Sequence, residues 1–167
     1  MELLEGIYSR RSVRSFTDED VADDQVMEIL RAGSWAPSGL NNQPWRFVTV
    51  RDKDMRSALA VHTRYSRIIE GAPLSIVVFC DRQAMYNDVK DHQSIGACIQ
   101  NMLLAAHALG LGAVWLGEIL KSAEKVRKLF ALPEQMELMA VVAVGHPKER
   151  SQSSSRKDLK ELLLKEY

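Results

Sequence analysis

Two short polar segments near the start of the chain carry the residue types best suited to binding a ligand. Residues 10–16 (RRSVRSF) offer clustered cations and hydroxyl groups, which suit a phosphate. Residues 36–45 (APSGLNNQPW) form a turn-rich segment crowded with amides, which suits a planar, hydrogen-bonding ring. A phosphate site and a ring site in one small protein predict a nucleotide-like cofactor.

The basic segment has a simple geometry if it is extended. Alternate side chains then point the same way, so that Arg10, Ser12 and Arg14 converge on one side and Arg11 and Val13 face the other. Two guanidinium forks and one hydroxyl match the shape of a phosphate monoester. The alternative is that these arginines complement the dipole of an N-terminal helix or simply solvate the surface.

The second segment is expected to be a rigid loop. Two prolines and a glycine prevent regular structure, and Asn41 and Asn42 tolerate left-handed conformations while offering donors and acceptors. The alternative is a plain turn that leads into a strand, and for Trp45 we favour that interpretation, with the indole packed in the core. A plain turn explains Ser38 and Asn41 less well, because it does not need so many paired donors and acceptors.

A third segment, residues 110–117 (GLGAVWLG), leads from a helix into a strand that ends at Gly117. A glycine at a strand end lets the backbone approach a ligand closely, and its N–H is then available to a ring nitrogen. The segment is not a dinucleotide-binding fingerprint, which would follow a strand and open a helix. A helix cap followed by a core strand accounts for Gly110 and Gly112 but leaves Gly117 unexplained.

Hydrophobic periodicity predicts the elements that position these segments. Helices are expected at 2–10, 23–33, 52–70, 91–109, 122–130 and 157–165, and strands at 46–50, 74–80, 113–116 and 138–144. Asp23 or Asp24 is expected to cap the second helix and Gly33 to end it. The elements do not alternate as regular βαβ units, so we expect one α+β domain over residues 1–167, with helices packed around a central mixed β-sheet.

The predicted helix at 91–109 is apolar nearly all round, which indicates burial on several sides, in a core or at a subunit interface. The loop at 151–155 (SQSSS) is expected to be flexible. Cys80 and Cys98 lie in apolar surroundings, without His or Cys at metal-ligand spacing, so we expect two buried hydrophobic residues and no metal site.

Composition limits the partners. The 22 basic residues balance 22 acidic ones, so no net field attracts nucleic acid or an anionic membrane. The acidic N-terminus is unlike a signal peptide, and no segment reaches the roughly 20 apolar residues of a membrane span. We therefore expect a cytoplasmic protein that binds neither nucleic acid nor membrane.

Taken together, in this order and spacing, the segments resemble the FMN-dependent nitroreductase family along nearly the whole chain. The matching pieces are residues 10–16, 36–45, 71–79 (GAPLSIVVF), 96–106 (GACIQNMLLAA), 110–117 and 144–147 (VGHP). The resemblance implies an α+β homodimer with one FMN in each of two sites at the subunit interface. It also places the long helix at the centre of the dimer.

The resemblance further implies roles for individual residues, each of which is a cofactor contact. The phosphate is held by Arg10, Ser12 and Arg14 with Arg11 nearby, and by Arg156 or, less closely matched, Lys157 in the tail. The flavin is contacted from the partner subunit by Pro37, Ser38, Gly39 and Asn41. Leu116 and Gly117 lie along the ring, with the Gly117 N–H near N5.

The chain departs from the family pattern in two places. Many members have two serines where this chain has Ser38 followed by Gly39, so one hydroxyl contact is expected to be missing. Larger members also insert helices that cover the substrate, and here only residues 81–91 fill that gap. Met85 and Tyr86 are the candidates for a lid, although surface packing explains them equally well. A further family contact, made by the stretch before Gly71, does not align with this chain, and the candidates for it are His62 and Arg64.

The activity implied is a ping-pong oxidoreductase. NADH or NADPH reduces the flavin, and an electron-poor small molecule such as a nitroaromatic or a quinone then takes the electrons. We nominate no catalytic side chain, because the four histidines show no triad arrangement. The alternatives are reductive dehalogenation or flavin breakdown on the same fold, and a non-catalytic FMN-binding module.

Overall fold

The computed structural model describes residues 2–167 and has helices on both faces of one four-stranded sheet. The strands are β1 (Trp45–Val50), β2 (Leu74–Asp81), β3 (Gly112–Leu116) and β4 (Met136–Gly145). The helices are α1 (Leu3–Ser9), α2 (Asp23–Ser34), α3 (Lys53–Ala60), α4 (Ser66–Gly71), α5 (Asp88–Ala108), α6 (Ala123–Leu129) and α7 (Leu159–Leu162). Short 3₁₀ turns lie at Gly39–Asn41, Arg82–Ala84 and Glu118–Ser122. The predicted α+β class is confirmed.

The sheet has the order β1-β2-β4-β3, and every pair of neighbouring strands is antiparallel. The mixed character that the sequence led us to expect is confined to an isolated parallel bridge between Ser12 and Ala113 at the β3 edge. A second isolated bridge, antiparallel, joins Phe16 to Pro147. The basic N-terminal segment therefore lies along the edge of the sheet without becoming a strand.

Two hydrophobic cores lie on opposite faces of the sheet, because successive side chains of a strand point to opposite sides. On one face α2 and α5 cover Ile76, Val78 and Val142. On the other face α3, α4 and α6 cover Val77 and Val141. This two-sided burial explains why β2 is a continuous apolar run in the sequence. Trp45 is 5% exposed and belongs to the first core, as expected.

Helix α2 begins at Asp23 as expected, but its cap and its end differ from the expectation. Its N-cap is Ala22, whose N–H donates to the side chain of Gln25 at 3.3 Å, and Asp23 and Asp24 lie inside the first turn. Acidic residues there still favour the positive end of the helix dipole. The helix also continues past Gly33, where a Cβ atom would lie 2.7 Å from the Met102 Cγ. Gly33 therefore allows α2 to approach α5 and does not end the helix.

Two other boundaries also moved. The helix expected over 52–70 divides into α3 and α4, with a turn at 61–65 between them. The long helix begins at Asp88 because the Asn87 side chain caps it, accepting a hydrogen bond of 3.0 Å from the Lys90 N–H.

Cys80 and Cys98 are free and buried, as expected, and burial raises the pKa of their thiols to about 11 and about 12.

Helix α5 buries one side and leaves the other open, so a single chain satisfies only part of its apolar surface. The buried side includes Ile95, Ile99 and Met102. The open side lines an apolar cavity of about 310 Å³ together with α1, through residues that include Leu3, Gly6, Leu104, Ala105 and Ala108. Within residues 2–167, no helix combines the length and the apolar character that crossing a membrane requires.

Candidate functional site

The basic segment leaves α1 and follows the edge strand β3. The Val13 N–H donates to the Ala113 carbonyl at 3.1 Å, next to the bridge at Ser12. The Val13 side chain is buried against Gly112, where a Cβ atom would lie only 2.7 Å from the Val13 Cβ. Gly112 therefore allows the segment to lie close to the sheet, which fixes the positions of the arginines on either side of Val13.

The arginines of this segment meet the C-terminal tail around one cavity of about 410 Å³. The cavity is lined by Arg10, Arg11, Ser12, Arg14, Gln152, Ser153, Ser154 and Arg156. The structure thus brings together all the residues predicted to hold a phosphate, and it places Arg156 rather than Lys157 on the cavity. Sequence reasoning missed Gln152, Ser153 and Ser154, which it assigned to a flexible loop; the nearby Arg156 was the signal that could have included them.

The strict alternation expected for the segment is not observed, because Arg11 lines the same cavity as Arg10, Ser12 and Arg14. The reason is that the segment is not a regular strand. The Arg11 Nη1 donates to the carbonyls of Tyr8 and Arg10, at 2.7 and 2.9 Å, and these bonds fold the side chain back over the end of α1. All three arginines of the segment at 10–16 therefore line one cavity.

The cavity is electrostatically suited to an anion. None of its lining residues is acidic, and it contains four guanidinium groups. Burial, and then the neighbouring charges of Arg156 and Arg11, hold the pKa of Arg10 below its usual value. The Arg11 Nε is buried and has no hydrogen-bond partner within residues 2–167. A bound anion would neutralise the crowded cations.

A smaller cavity of about 120 Å³ adjoins the arginine-lined cavity and shares Arg10, Arg11 and Gln152 with it. There the Ser9 Oγ lies 2.8 Å from the His107 Nε2. Burial, followed by the charges of Arg10, Arg150 and Arg11, lowers the pKa of His107. The positive field therefore extends behind the arginine cavity to the C-terminal end of α5.

The loop at 36–45 has an unusual backbone. Leu40, Asn41 and Gln43 have φ values of 54°, 54° and 47°, whereas Asn42 is in the ordinary helical region. The expected left-handed tolerance is thus used by Asn41 but not by Asn42. Inside the loop the Ser38 Oγ accepts from the Gln43 N–H at 3.1 Å. Part of what holds the loop is therefore its own hydrogen bonding, as its polar composition indicated.

The loop and the arginine cavity do not meet within one chain. Asn41 lines a separate cavity of about 330 Å³ with Ser34, Trp35, Ala36 and Gln43, and the two cavities share no lining residue. Pro37 and Asn41 are exposed, and Ser38 and Gly39 are half-buried. The four loop residues predicted to contact a flavin are therefore available to a neighbouring molecule.

The ring of Tyr86 occupies the space that a side chain at position 39 would take. A Cβ atom at Gly39 would lie 2.1 Å from the Tyr86 Oη, because the phenol ring packs directly on the glycine. The ring is 44% exposed, and the Lys90 Nζ lies 5.6 Å from its centroid. Tyr86, predicted from the sequence as a lid residue, thus lies against the loop.

The end of β3 offers backbone rather than side chains. Leu116 is 3% exposed, and its side chain packs in the second core, so that the side chain is not available to a ligand. Gly117 is exposed, with an ordinary φ of −97°. A Cβ atom there would lie 3.9 Å from the Trp115 Nε1, at ordinary van der Waals distance. The fold itself does not require a glycine at 117, whereas close approach of a ligand would.

Glu118, which sequence reasoning missed, fastens the turn at 61–65 beside Gly117. Its Oε2 accepts from the Thr63 hydroxyl at 2.6 Å and from the Arg64 N–H at 3.1 Å, and its Oε1 accepts from the Lys121 ammonium. The Arg64 side chain is not part of this contact and lies over the Tyr65 ring, 5.1 Å from its centroid. No sequence motif marks this cluster, because Thr63 and Glu118 are 55 residues apart in the chain.

These bonds predict a pH dependence of stability. The Lys121 and Thr63 side chains that donate to Glu118 lower its pKa from 4.5 to about 2. Because the folded-state pKa is depressed, the stabilisation is complete above about pH 4.5 and is lost as the pH falls towards about 2. Melting temperatures of the wild type and Glu118→Gln, measured from about pH 6 downwards, should therefore converge in acid. A difference that stays constant over this range would contradict the assignment.

An α+β chain with an arginine-lined anion cavity, an exposed glycine at a strand end and an amide-rich loop has the features of a flavin-site protein. The chain belongs to the nitroreductase family, whose family model matches residues 7–81 and 58–146. The resemblance stated from the sequence is thereby confirmed. The enzyme class is confirmed with it, since relatives are named as NAD(P)H nitroreductases and flavin oxidoreductases.

Three relatives illustrate the similarity. A Desulfovibrio desulfuricans protein, provisionally described as a nitroreductase and crystallised in complex with FMN, is 55% identical, with a TM-score of 0.96 over 100% of this chain and 98% of that one. A protein of Methanothermobacter thermautotrophicus, provisionally named NADH dehydrogenase/NAD(P)H nitroreductase, is 36% identical over 89% of this chain and 79% of its own. The Vibrio harveyi NADPH:FMN oxidoreductase, crystallised with NAD⁺, is 28% identical, with a TM-score of 0.90 over 98% and 76%.

Proposed function

We propose that this protein is an FMN-dependent oxidoreductase. It takes electrons from NADH or NADPH and passes them to an electron-poor small molecule, such as a nitroaromatic or a quinone, in a ping-pong mechanism. The observation that carries the proposal is the cavity lined by Arg10, Arg11, Arg14 and Arg156, which has no acidic lining residue. The FMN bound by the Desulfovibrio relative supports the choice of cofactor.

The arginine cavity fits the phosphate end of FMN. A phosphate monoester carries close to two negative charges and several strong acceptor oxygens, and arginine forks match that geometry. In this assignment Arg10, Arg14 and Arg156 neutralise the phosphate, and the Ser12 hydroxyl donates to it. Arg11, which also lines the cavity, adds a fourth positive charge.

The exposed glycine at the end of β3 fits the ring end. Gly117 leaves open a space that a side chain would fill, and its N–H is in our proposal the donor to N5 of the flavin. Leu116 contributes backbone alone, because its side chain belongs to the core. FMN supplies the hydride-transfer chemistry when it is bound. The residues of the chain bind and orient it, and no side chain is assigned as an acid or a base.

We propose further that the active form is a homodimer of single-domain subunits. The loop of Pro37, Ser38, Gly39 and Asn41 is separate from the arginine cavity of its own chain, so a partner subunit would supply it to the site. The open apolar side of α5 and the exposed Leu3 and Leu4 of α1 are suited to burial against a second copy. The two cores share one sheet, which supports treating residues 1–167 as one unit.

The test is the visible absorption spectrum of the purified protein, followed by anaerobic addition of NADH or NADPH. We expect flavin bands that bleach with reductant and return when a nitroaromatic or quinone is added. Bands that bleach without acceptor-dependent turnover would indicate a non-catalytic FMN module. Release of a flavin fragment under oxygen would indicate flavin breakdown instead. A colourless protein that also fails to bind added FMN would contradict the proposal.

A further inference from the structure

A buried carboxylate, Asp91 in the first turn of α5, joins two segments that are far apart in the sequence. Asp91 is 0% exposed. Its Oδ1 accepts from the Asn42 side-chain amide at 2.6 Å, and its Oδ2 accepts from the N–H groups of Tyr86 and Asn87 at 2.9 and 2.8 Å. The same Asn42 amide donates to the Ala84 carbonyl at 2.9 Å. The loop at 36–45 is thus tied to the segment at 84–91.

The bonds to Asp91 come from amides and not from a paired cation. Burial raises the pKa of Asp91, but the hydrogen bonds from Asn87, Asn42 and Tyr86 outweigh it, so the pKa lies below its usual value. The group is therefore a carboxylate at neutral pH and can accept all three bonds at once. Burying a carboxylate costs free energy unless hydrogen bonds compensate for the lost hydration. Capping of α5 does not account for this burial, because the Asn87 side chain already caps the helix.

The loop that Asp91 restrains is in a strained conformation. Leu40, Asn41 and Gln43 have positive φ values, and Asn42 lies between them. Residues in this region persist only where their surroundings hold them, and they are concentrated at functional sites. Tyr86, whose N–H is bound to Asp91, also packs its ring on Gly39. Asp91 is therefore bonded to the strained loop through Asn42, and through the Tyr86 N–H to the residue whose ring covers Gly39.

We propose that Asp91 is a positioning residue, which holds the flavin-side loop and the Tyr86 segment in one fixed arrangement at the cofactor and acceptor site. The proposal rests on the proposed function, since the loop matters only if it contacts the flavin of the partner subunit. Asp91 itself is buried and touches neither cofactor nor acceptor. It acts through Asn42 on the loop and through the backbone of Tyr86 on the exposed phenol.

The experiment compares Asp91→Asn with Asp88→Asn in the full-length protein. Both variants remove an acidic residue from the first turn of α5, but the Asp88 carboxylate is exposed and lies near Arg82 and His92, at 3.9 and 3.7 Å. Three properties are measured: hydrogen–deuterium exchange of residues 37–43 without FMN, the visible spectrum of bound FMN, and KM and kcat for the acceptor. Melting temperature reports the purely structural cost of each change.

We expect Asp91→Asn, unlike Asp88→Asn, to speed exchange in the loop and to shift the bands of bound FMN. We also expect it to raise the acceptor KM about tenfold with a smaller change in kcat, because loss of alignment weakens binding of the reacting partner. A variant with a lower melting temperature but an unchanged flavin spectrum and acceptor KM would overturn the proposal. Asp91 would then have a structural role alone.

If Asp91→Asn does not fold, Asn42→Ala tests the same connection from the other side. This variant removes the loop's amide but leaves the bonds from Tyr86 and Asn87 to the carboxylate. The same spectral shift and rise in KM are expected, and their absence overturns the proposal. A wild type without flavin bands contradicts the proposed function and the positioning role together, whereas normal wild-type bands with unaffected variants contradict the positioning role alone.

Discussion

Replacing Arg10 and Arg14 together by alanine is expected to weaken FMN binding at least about 100-fold. Each lost charge-assisted hydrogen bond costs about 1.5–3 kcal/mol, so two losses correspond to roughly 3–6 kcal/mol, or about 10²–10⁴ in the dissociation constant. Both guanidinium groups line the arginine cavity, and the remaining Arg11 and Arg156 bind a phosphate less completely. The measurement is a titration of the FMN-free protein with FMN, in which binding is monitored by the quenching of flavin fluorescence.

The double variant should nevertheless remain folded. The pKa of Arg10 is lowered by burial and by repulsion from Arg156 and Arg11, so that its removal relieves an unfavourable interaction in the ligand-free protein. The matched control is Arg31→Ala on α2, which removes an exposed arginine paired with Glu28 and should leave FMN binding unchanged. A double variant that purifies with a full complement of FMN would show that the phosphate lies elsewhere.

The second large effect is expected from Gly112→Ala, because a methyl group at 112 has no room. Its Cβ would lie 2.7 to 2.8 Å from three atoms of Val13, a stiff β-branched side chain that cannot swing away. Overpacking of this kind costs about 1–3 kcal/mol, which for a protein of this size lowers Tm by about 2–12 °C. Val13 also lies between Ser12 and Arg14, so FMN affinity should fall as the segment is displaced.

Two further variants separate this steric effect from a general loss of glycine. Gly71→Ala is the control, since a Cβ atom there meets nothing within 4 Å, and it should change neither Tm nor FMN affinity appreciably. Val13→Ala combined with Gly112→Ala restores space and should cost less than the sum of the single changes, because the two sites are in contact. Strict additivity of the two effects would show that Val13 is not the residue displaced.

The arginines and the sheet are therefore one structural unit in this protein. The basic segment has little regular structure of its own, and its position depends on the Ser12 bridge, the Val13 hydrogen bond and the bare Gly112. This dependence explains why a single methyl group, placed away from the cavity, is expected to change both stability and cofactor binding. The amide-rich loop is held differently, because its Asn42 side chain donates to the buried Asp91 carboxylate.

The local pattern of the chain determined much of the fold. Apolar periodicity located each of the four strands to within about two residues at each end, and the continuous apolar run of β2 reflects its burial on both faces. It failed where side-chain contacts decide a boundary. Asn87 starts α5 earlier than its apolar stripe, and the turn at 61–65 interrupts an otherwise helical stretch because Glu118 binds Thr63 and Arg64 from another part of the chain.

Residue types and their spacing by themselves determined the family, the choice of ligand chemistry and the set of arginines, because cations, amides and bare glycines are visible in the sequence. Only the tertiary structure decided which of them meet. Arg156 reaches the N-terminal arginines across the whole length of the chain, and Tyr86 takes the space beside Gly39. Asp91 looked like an ordinary acidic residue at the start of a helix. Its environment depends on burial and on three donors, of which the Asn42 amide comes from a segment 49 residues away, and no local pattern encodes that contact.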